Sequence, residues 1–146
     1  MTITPKFGVG KLLFGMKQGN VVDICGKPDK EFRDDEDNVI YIYNALKWRL
    51  TFYQDEDFRL GYAMCSHPSA ELFGKKVVGV VIEDVKSNLE AHGFAKWERE
   101  DYDLTEQYFD ETHWLILQAE FGVVSKVEIG AIINDKDEFD WKFPVK

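Results

Sequence analysis

The sequence predicts an α+β protein built as a tandem repeat, in which a helical segment is followed by a four-stranded antiparallel sheet and the plan then recurs. Three observations lead to this class. Two short segments have the apolar face of a helix, a glycine follows each segment and is placed to end that helix, and strand-like runs come after each glycine. A glycine lies six residues before Val21 and another lies six residues before Val85. We therefore predict two modules, residues 1–70 and residues 71–146, which are either separate or joined in one continuous domain.

The first module begins with residues 1–11, where a proline and two glycines predict an irregular lead-in. Apolar side chains spaced three and four residues apart then predict a helix over residues 17–25. Gly26 is placed to end this helix, and Pro28 prevents its continuation. The helix is short, so packing against the rest of the chain must stabilise it.

Strand-like sequence follows the first helix. The run Lys47–Gln54 alternates apolar and polar side chains, as expected of a strand with one buried face. Short polar turns between such runs predict an antiparallel meander. The four predicted strands of this module cover residues 31–34, 39–46, 47–54 and 59–66.

The second module repeats the plan after a linker over residues 67–74. Ile82, Val85 and Leu89 share one face of a predicted helix over residues 82–92. An acidic, aromatic tail closes the chain over residues 134–146. The predicted strands of this module cover residues 96–101, 105–110, 113–121 and 126–133.

Composition and charge limit the class of protein. The chain has 146 residues, 45% of them hydrophobic, which is enough for a packed core. Eighteen basic and 27 acidic residues give a net charge of −9, which disfavours nucleic acid or an anionic membrane as partner and favours a basic one. Residues 1–16 lack the pattern of a signal peptide, and Cys25 and Cys65 lie in apolar runs, so we expect a cytoplasmic protein with two buried thiols.

The opening of the first module resembles a family pattern, Gly-Met followed by Val and then Gly-x-Pro, before antiparallel strands. The matching positions are Gly15, Met16, Val21, Gly26 and Pro28. The pattern is similar to that of domains shaped like the beta-lactamase inhibitor protein and of small outer-membrane assembly lipoproteins. A similar opening occurs in cytoplasmic toxin-immunity proteins. The resemblance implies a helical segment packed on a four-stranded antiparallel sheet, sometimes in tandem; in the second module the Gly-x-Pro is replaced by residues 93–95.

Motifs for metal binding or catalysis are incomplete. The three histidines lie far apart, and the acid clusters at residues 34–37, 55–57 and 135–140 lack the glycine and glutamate spacing of a calcium-binding loop. Cys65 and His67 are two residues apart on a predicted strand, too far for a nucleophile and its base. We therefore predict no catalytic residue, no cofactor and no metal site.

Binding through a sheet face is the remaining prediction. Aromatic side chains rimmed by acidic turns are typical of protein interfaces. We expect a non-catalytic binding protein, most concretely an immunity protein that occludes the active site of a basic bacterial toxin, with no nucleic-acid or membrane partner. The alternatives are a small enzyme with an acid–base pair in a sheet cleft and an envelope-assembly scaffold. The predicted partner-binding residues are Tyr41, Tyr43, Trp48, Tyr53, Asp55, Glu56, Asp57, Trp97, Tyr108 and Trp114.

Overall fold

A computed structural model describes residues 1–144 of the chain. Strands account for 42% of the chain and helices for 14%, including a short 3-10 helix over Gln54–Glu56. The strands form an eight-stranded sheet, here called the main sheet, and a five-stranded sheet, here called the small sheet. The strands of the main sheet are β4 Lys30–Arg33, β5 Val39–Tyr43, β6 Trp48–Tyr53, β7 Arg59–Cys65, β10 Glu98–Tyr102, β11 Thr105–Asp110, β12 Leu115–Glu120 and β13 Val123–Gly130. Those of the small sheet are β1 Thr2–Thr4, β2 Gly8–Val9, β3 Leu12–Leu13, β8 Glu71–Leu72 and β9 Lys75–Lys76.

The main sheet is antiparallel throughout, with the strand order β10-β11-β12-β13-β7-β6-β5-β4. Strands that follow one another in the sequence pair through short turns, first β4 to β7 and later β10 to β13. The last strands of these two series, β7 and β13, pair with each other, and Ala63 lies opposite Ile129. This pairing joins both series into one sheet.

The small sheet has the order β3-β2-β1-β8-β9. It connects the beginning of the chain to the segment between the two series of the main sheet, because β1 pairs in parallel with β8 and Ile3 lies opposite Leu72. The amino-terminal ammonium also donates a hydrogen bond to the carbonyl oxygen of Ser69 at 3.1 Å. The segments predicted as an irregular lead-in and as a linker therefore both contribute strands to the small sheet.

Two helices, α1 Gln18–Cys25 and α2 Ile82–Glu90, confirm the predicted positions to within two residues. The backbone N–H of Gly26 donates to the carbonyl oxygen of Val22 where α1 ends, as predicted for a capping glycine. In α2, Glu83 and Asp84 lie in the first turn, where negative charge interacts favourably with the helix dipole.

One side of the main sheet, here called the packed face, holds the core. On β6, Leu50 and Phe52 are completely buried, and their neighbours in the core come from both helices and from the small sheet. Burying one such side chain contributes about 1.5–3 kcal/mol. Val21 of α1 and Val85 of α2 belong to the same cluster. The two helices therefore cover the same side of the main sheet.

The predicted α+β class, with a helical segment and a four-stranded sheet repeated in tandem, is wrong. The chain is mostly β, because the two series of strands join through β7 and β13 and because the lead-in and linker add a second sheet. Individual predicted strands are confirmed, such as residues 47–54 for β6. The division into residues 1–70 and 71–146 stays a prediction, and the last two residues of the predicted tail lie outside the described residues.

Candidate functional site: the open face of the main sheet

The side of the main sheet opposite the helices is here called the open face. One row of side chains crosses it through all eight strands, since each member is the registered partner of the next. The core cluster contains none of these side chains. In spatial order the row is Lys30, Ile42, Arg49, Met64, Glu128, Ile116, Phe109 and Glu98.

The row mixes apolar and charged side chains: Arg49 and Glu128 lie among its apolar members, and Lys30 and Glu98 stand at its two ends. Ile42, Met64 and Phe109 are half-buried, whereas Lys30 and Glu98 are exposed. Phe32, two residues along β4 from Lys30, keeps 42% of its surface exposed on the same face. Partly exposed apolar side chains among charged ones are typical of a protein-binding surface.

A cleft of about 410 Å³, here called the aromatic cleft, lies at one end of the open face. The ring of Trp114 stands 5.7 Å from that of Phe109 and 5.7 Å from that of Tyr62, in edge-on geometry. Gly130 makes room for this tryptophan, because a β-carbon there would lie 2.9 Å from the indole. The lining residues are Tyr53, Phe109, Glu111, Thr112, Trp114, Ala131, Ile132, Ile133 and Phe139.

An acidic rim adjoins the aromatic cleft. A second cleft, of about 220 Å³, shares Tyr53 and Phe139 with the first, and the centres of these two rings lie 5.7 Å apart. Glu36, Asp55 and Glu56 line this second cleft. This end of the open face therefore places carboxylates beside exposed aromatic surface.

A third cleft, of about 340 Å³ and here called the basic cleft, lies toward the opposite end of β6. Three cations, Lys47, Arg49 and Lys126, line it together with the apolar Ile42 and Met64. Within residues 1–144 none of the three cations has a carboxylate within the 4.0 Å of an ion pair. The open face is therefore acidic at one end and basic at the other.

Glu128 lies between the two ends, with Met64 and Ile116 as its registered neighbours. It is only 7% exposed, and its Oε2 atom accepts a hydrogen bond of 2.6 Å from Nε2 of Gln118. Burial raises the pKa of this carboxyl to about 7. The centre of the face thus holds an acid that changes charge near neutral pH.

Four predicted partner-binding residues lie in the core instead of on the open face. Their side chains point to the packed face and keep at most 6% of their surface exposed. Two of them attach α1 to the sheet: the hydroxyl of Tyr41 accepts a hydrogen bond from Gln18, and that of Tyr43 donates one to the carbonyl oxygen of Gly26. Burial raises the pKa of Tyr43 to about 12. The four residues are Tyr41, Tyr43, Trp48 and Tyr108.

Four other predicted residues are brought together at the aromatic cleft and its acidic rim. They are Tyr53, Trp114, Asp55 and Glu56. Of the remaining two, Trp97 is half-buried against the core, and Asp57 is exposed and forms an ion pair with Lys17, which lowers the pKa of its carboxyl. Whether any of these residues contacts a partner stays a prediction.

Sequence reasoning did not select Phe109, Phe139, Arg49 or Lys126 as site residues. Strand alternation carried a signal for two of them, because Arg49 and Phe109 alternate with core residues on β6 and β11. No local signal brings Phe139 to Tyr53, since 85 intervening residues separate the two in the chain. This contact depends on the path of the carboxyl-terminal segment.

Groups that suggest metal binding or catalysis remain apart. Among residues 1–144 no group of three or more His, Cys, Asp and Glu side chains is arranged to hold a metal ion. His92 stacks on Phe73, and Nδ1 of His113 lies 3.0 Å from Oδ1 of Asp110, which also caps the turn there. Burial raises the pKa of Cys65. No helix in the described part of the chain has the length and hydrophobicity needed to cross a membrane.

The fold is similar to parts of two longer proteins of known structure. One is an extracellular protein containing an SCP domain from Bacillus anthracis str. Ames, at 11% identity and a TM-score of 0.53, over 99% of this chain and 56% of that one. Another is a cysteine-rich secretory protein from Staphylococcus aureus subsp. aureus Mu50, at 13% identity and a TM-score of 0.50, over 85% of this chain and 46% of that one. The chain thus spans about half the length of each. No protein-family model and no curated protein sequence matches it.

These comparisons correct two expectations. The predicted relationship to proteins shaped like the beta-lactamase inhibitor protein, to small assembly lipoproteins and to toxin-immunity proteins is wrong, because the structural neighbours are SCP-domain proteins. The predicted descriptions of the chain as an immunity protein, a toxin inhibitor and a tandem repeat are therefore also wrong, whereas the predicted antiparallel sheet is confirmed. The cytoplasmic location is also contradicted, since the neighbours are described as extracellular and secretory.

Proposed function

We propose that the chain is a non-catalytic protein-binding domain that holds its partner at the aromatic cleft. The observation that carries this proposal is the convergence of Tyr53, Trp114 and Phe139 beside three carboxylates on the face opposite α1 and α2. Large aromatic side chains often supply much of the binding free energy at protein interfaces, because they bury a large surface at a low cost in conformational entropy.

The partner we propose is a basic protein. Glu36, Asp55 and Glu56 border the aromatic cleft, and the chain as a whole carries a net charge of −9. Complementary charge raises the rate of association and orients the partner before the apolar surfaces meet. The proposal names no toxin, because the family resemblance that suggested one is wrong.

The test identifies the partner and then measures its affinity. A photoreactive amino acid at Phe139 captures the bound protein from an extract of the source organism, and that protein is purified and titrated against defined variants. We expect the double variant Tyr53→Ala, Phe139→Ala to bind at least about tenfold more weakly, since one lost anchor costs about 1–2 kcal/mol. Neutralising Asp55 and Glu56 to Asn and Gln should slow association and reduce its dependence on salt.

The matched control is Phe121→Ala. Phe121 is 82% exposed in the turn between β12 and β13, outside the aromatic cleft. Its removal should leave the affinity unchanged. Equal affinities of the double variant and this control would contradict the proposal.

A small enzyme is the second candidate, and Glu128 is the observation that favours it, because a carboxyl with a pKa of about 7 suits general acid–base catalysis. However, Glu128 lines none of the three clefts described above, and its hydrogen-bond partner is the neutral Gln118. The enzyme becomes the better candidate if a substrate is found whose turnover is lost in Glu128→Gln but retained in the aromatic-cleft double variant.

A further inference from the structure

We propose that the basic cleft is a separate binding site for an acidic polypeptide segment, whose carboxylates interact with Lys47, Arg49 and Lys126. This inference goes beyond the proposed function, since it assigns the opposite end of the open face and a ligand of opposite charge. The two sites are distinct along β6, because Arg49 and Tyr53 are four residues and so roughly 13 Å apart on an extended strand.

The cations of the basic cleft form no close ion pair within the described chain, and Arg49 acts on Asp34 only at longer range, where it contributes to lowering the pKa of that carboxyl. Lys47, Arg49 and Lys126 lie together although the chain carries 27 acidic residues and only 18 basic ones. Within residues 1–144 none of their side chains forms an ion pair or a hydrogen bond. Carboxylates that enter among these cations supply ion pairs that the described chain does not. The guanidinium of Arg49 lies over the ring of Phe32, 5.6 Å from its centroid.

The available donors favour carboxylates on a peptide over a free phosphate. Phosphate sites are commonly built from several backbone N–H groups. In the basic cleft these N–H groups already have partners. The N–H of Ser66 donates to the carbonyl oxygen of Lys47, the N–H of Lys47 donates to the carbonyl oxygen of Asn44, and the N–H of Asn44 donates to Oδ2 of Asp29. The cleft therefore presents charged side chains and not a backbone cradle.

The shape and lining of the cleft also fit a peptide. Ile42 and Met64 lie among the cations, and Ile42, Arg49 and Met64 are consecutive members of the row that crosses the open face. Apolar and positively charged surface therefore alternate over neighbouring strands. A segment in which acidic and apolar side chains alternate is complementary to this pattern in both charge and hydrophobicity.

The test uses two short synthetic peptides, blocked at both ends, in which Leu alternates with Glu in one and with Gln in the other. Each is titrated at low ionic strength against the full chain, and binding is followed through the backbone amide NMR signals. We expect the Glu peptide alone to bind saturably, with shifts centred on Arg49, Ser66 and Lys126. The double variant Arg49→Glu, Lys126→Glu should bind it at least about tenfold more weakly.

Two controls separate this site from general attraction and from loss of fold. Lys75→Glu, Lys76→Glu makes the same change of charge at exposed positions on β9 and should keep the wild-type affinity within about twofold. Arg49→Gln, Lys126→Gln removes the charges without reversing them and should also lose the peptide, while the dispersion of its NMR spectrum reports the fold. The aromatic-cleft variant Tyr53→Ala, Phe139→Ala should bind the Glu peptide normally, so failure here is distinguishable from failure of the proposed function.

Four results would overturn the inference: no saturable binding of the Glu peptide, equal binding of the Gln peptide, equal loss of affinity in the β9 control, or saturation of the same amides by inorganic phosphate at lower concentration than by the Glu peptide. The last result would assign the basic cleft to a phosphate-bearing ligand.

Discussion

The packed face and the open face are made by the same strands, and β6 shows how differently they are used. Leu50 and Phe52 point into the core and are completely buried, whereas Arg49 and Tyr53 point to the open face and line clefts. Strand alternation separates the two sets at every second residue. The packed face is therefore filled by contacts within the chain, whereas the open face keeps charged and aromatic side chains that line clefts.

Truncation on the packed face should cause the largest effect. Phe52 has no exposed surface, and its ring centre lies 4.8 Å from that of Tyr41. Phe52→Ala should lower the free energy of unfolding by about 3–5 kcal/mol, because it leaves a cavity as well as losing buried apolar surface. Urea denaturation measures this change. Phe32→Ala on the open face is the matched control and should cost less than about 1 kcal/mol. Similar losses at both positions would mean that the open face is also packed.

The next effect concerns the charge at the centre of the open face. The folded-state pKa of Glu128 is about 7, above its ordinary value of 4.5. Below the lower value both the folded and unfolded chains are protonated, and above the higher value both are ionised. Between them the folded chain binds the extra proton, so the free energy of unfolding falls as pH rises. Glu128→Gln removes this dependence. The free energy of unfolding of the variant, measured relative to that of wild type, should therefore be about 1–3 kcal/mol higher at about pH 8 than at about pH 5.

Urea denaturation of both proteins at the two pH values measures this difference. Glu120→Gln, at an exposed position on the neighbouring strand β12, is the control and should show the wild-type pH dependence. A pH-independent difference between Glu128→Gln and wild type would show that the carboxyl is already ionised well below neutral pH in the folded chain.

The last effect, of similar size, tests the packing of Trp114 on Gly130 at the aromatic cleft. A β-carbon at Gly130 would lie 2.9 Å from the ring of Trp114, so Gly130→Ala should displace the indole and cost about 1–3 kcal/mol. The displacement is measured by tryptophan fluorescence, together with the free energy of unfolding. Gly19→Ala in α1 meets no atom within 4 Å and should instead stabilise the chain by about 0.5–1 kcal/mol. An unchanged fluorescence spectrum in Gly130→Ala would show that the indole of Trp114 does not pack against Gly130.

Local structure was largely predictable, because its causes lie within a few residues of the chain. Gly26 and Pro28 end α1 where backbone geometry requires it, and alternation in residues 47–54 identifies both the strand and its buried side. The same alternation places Trp48 with Leu50 and Phe52 on the packed face, where only 6% of its surface is exposed. The aromatic content of a strand does not tell which face of a sheet is covered.

Short-range periodicity and composition were enough to predict the two α-helices, the strands of the main sheet, the negative net charge and the sets of side chains that share a face. No local pattern predicts that β7 pairs with β13, that β1 pairs with β8, or that Phe139 packs against Tyr53. Only the tertiary structure brings three cations together in one cleft of an acidic chain. These features require contacts between residues far apart in sequence, and such contacts are selected by the packing of the whole chain and not by any local pattern.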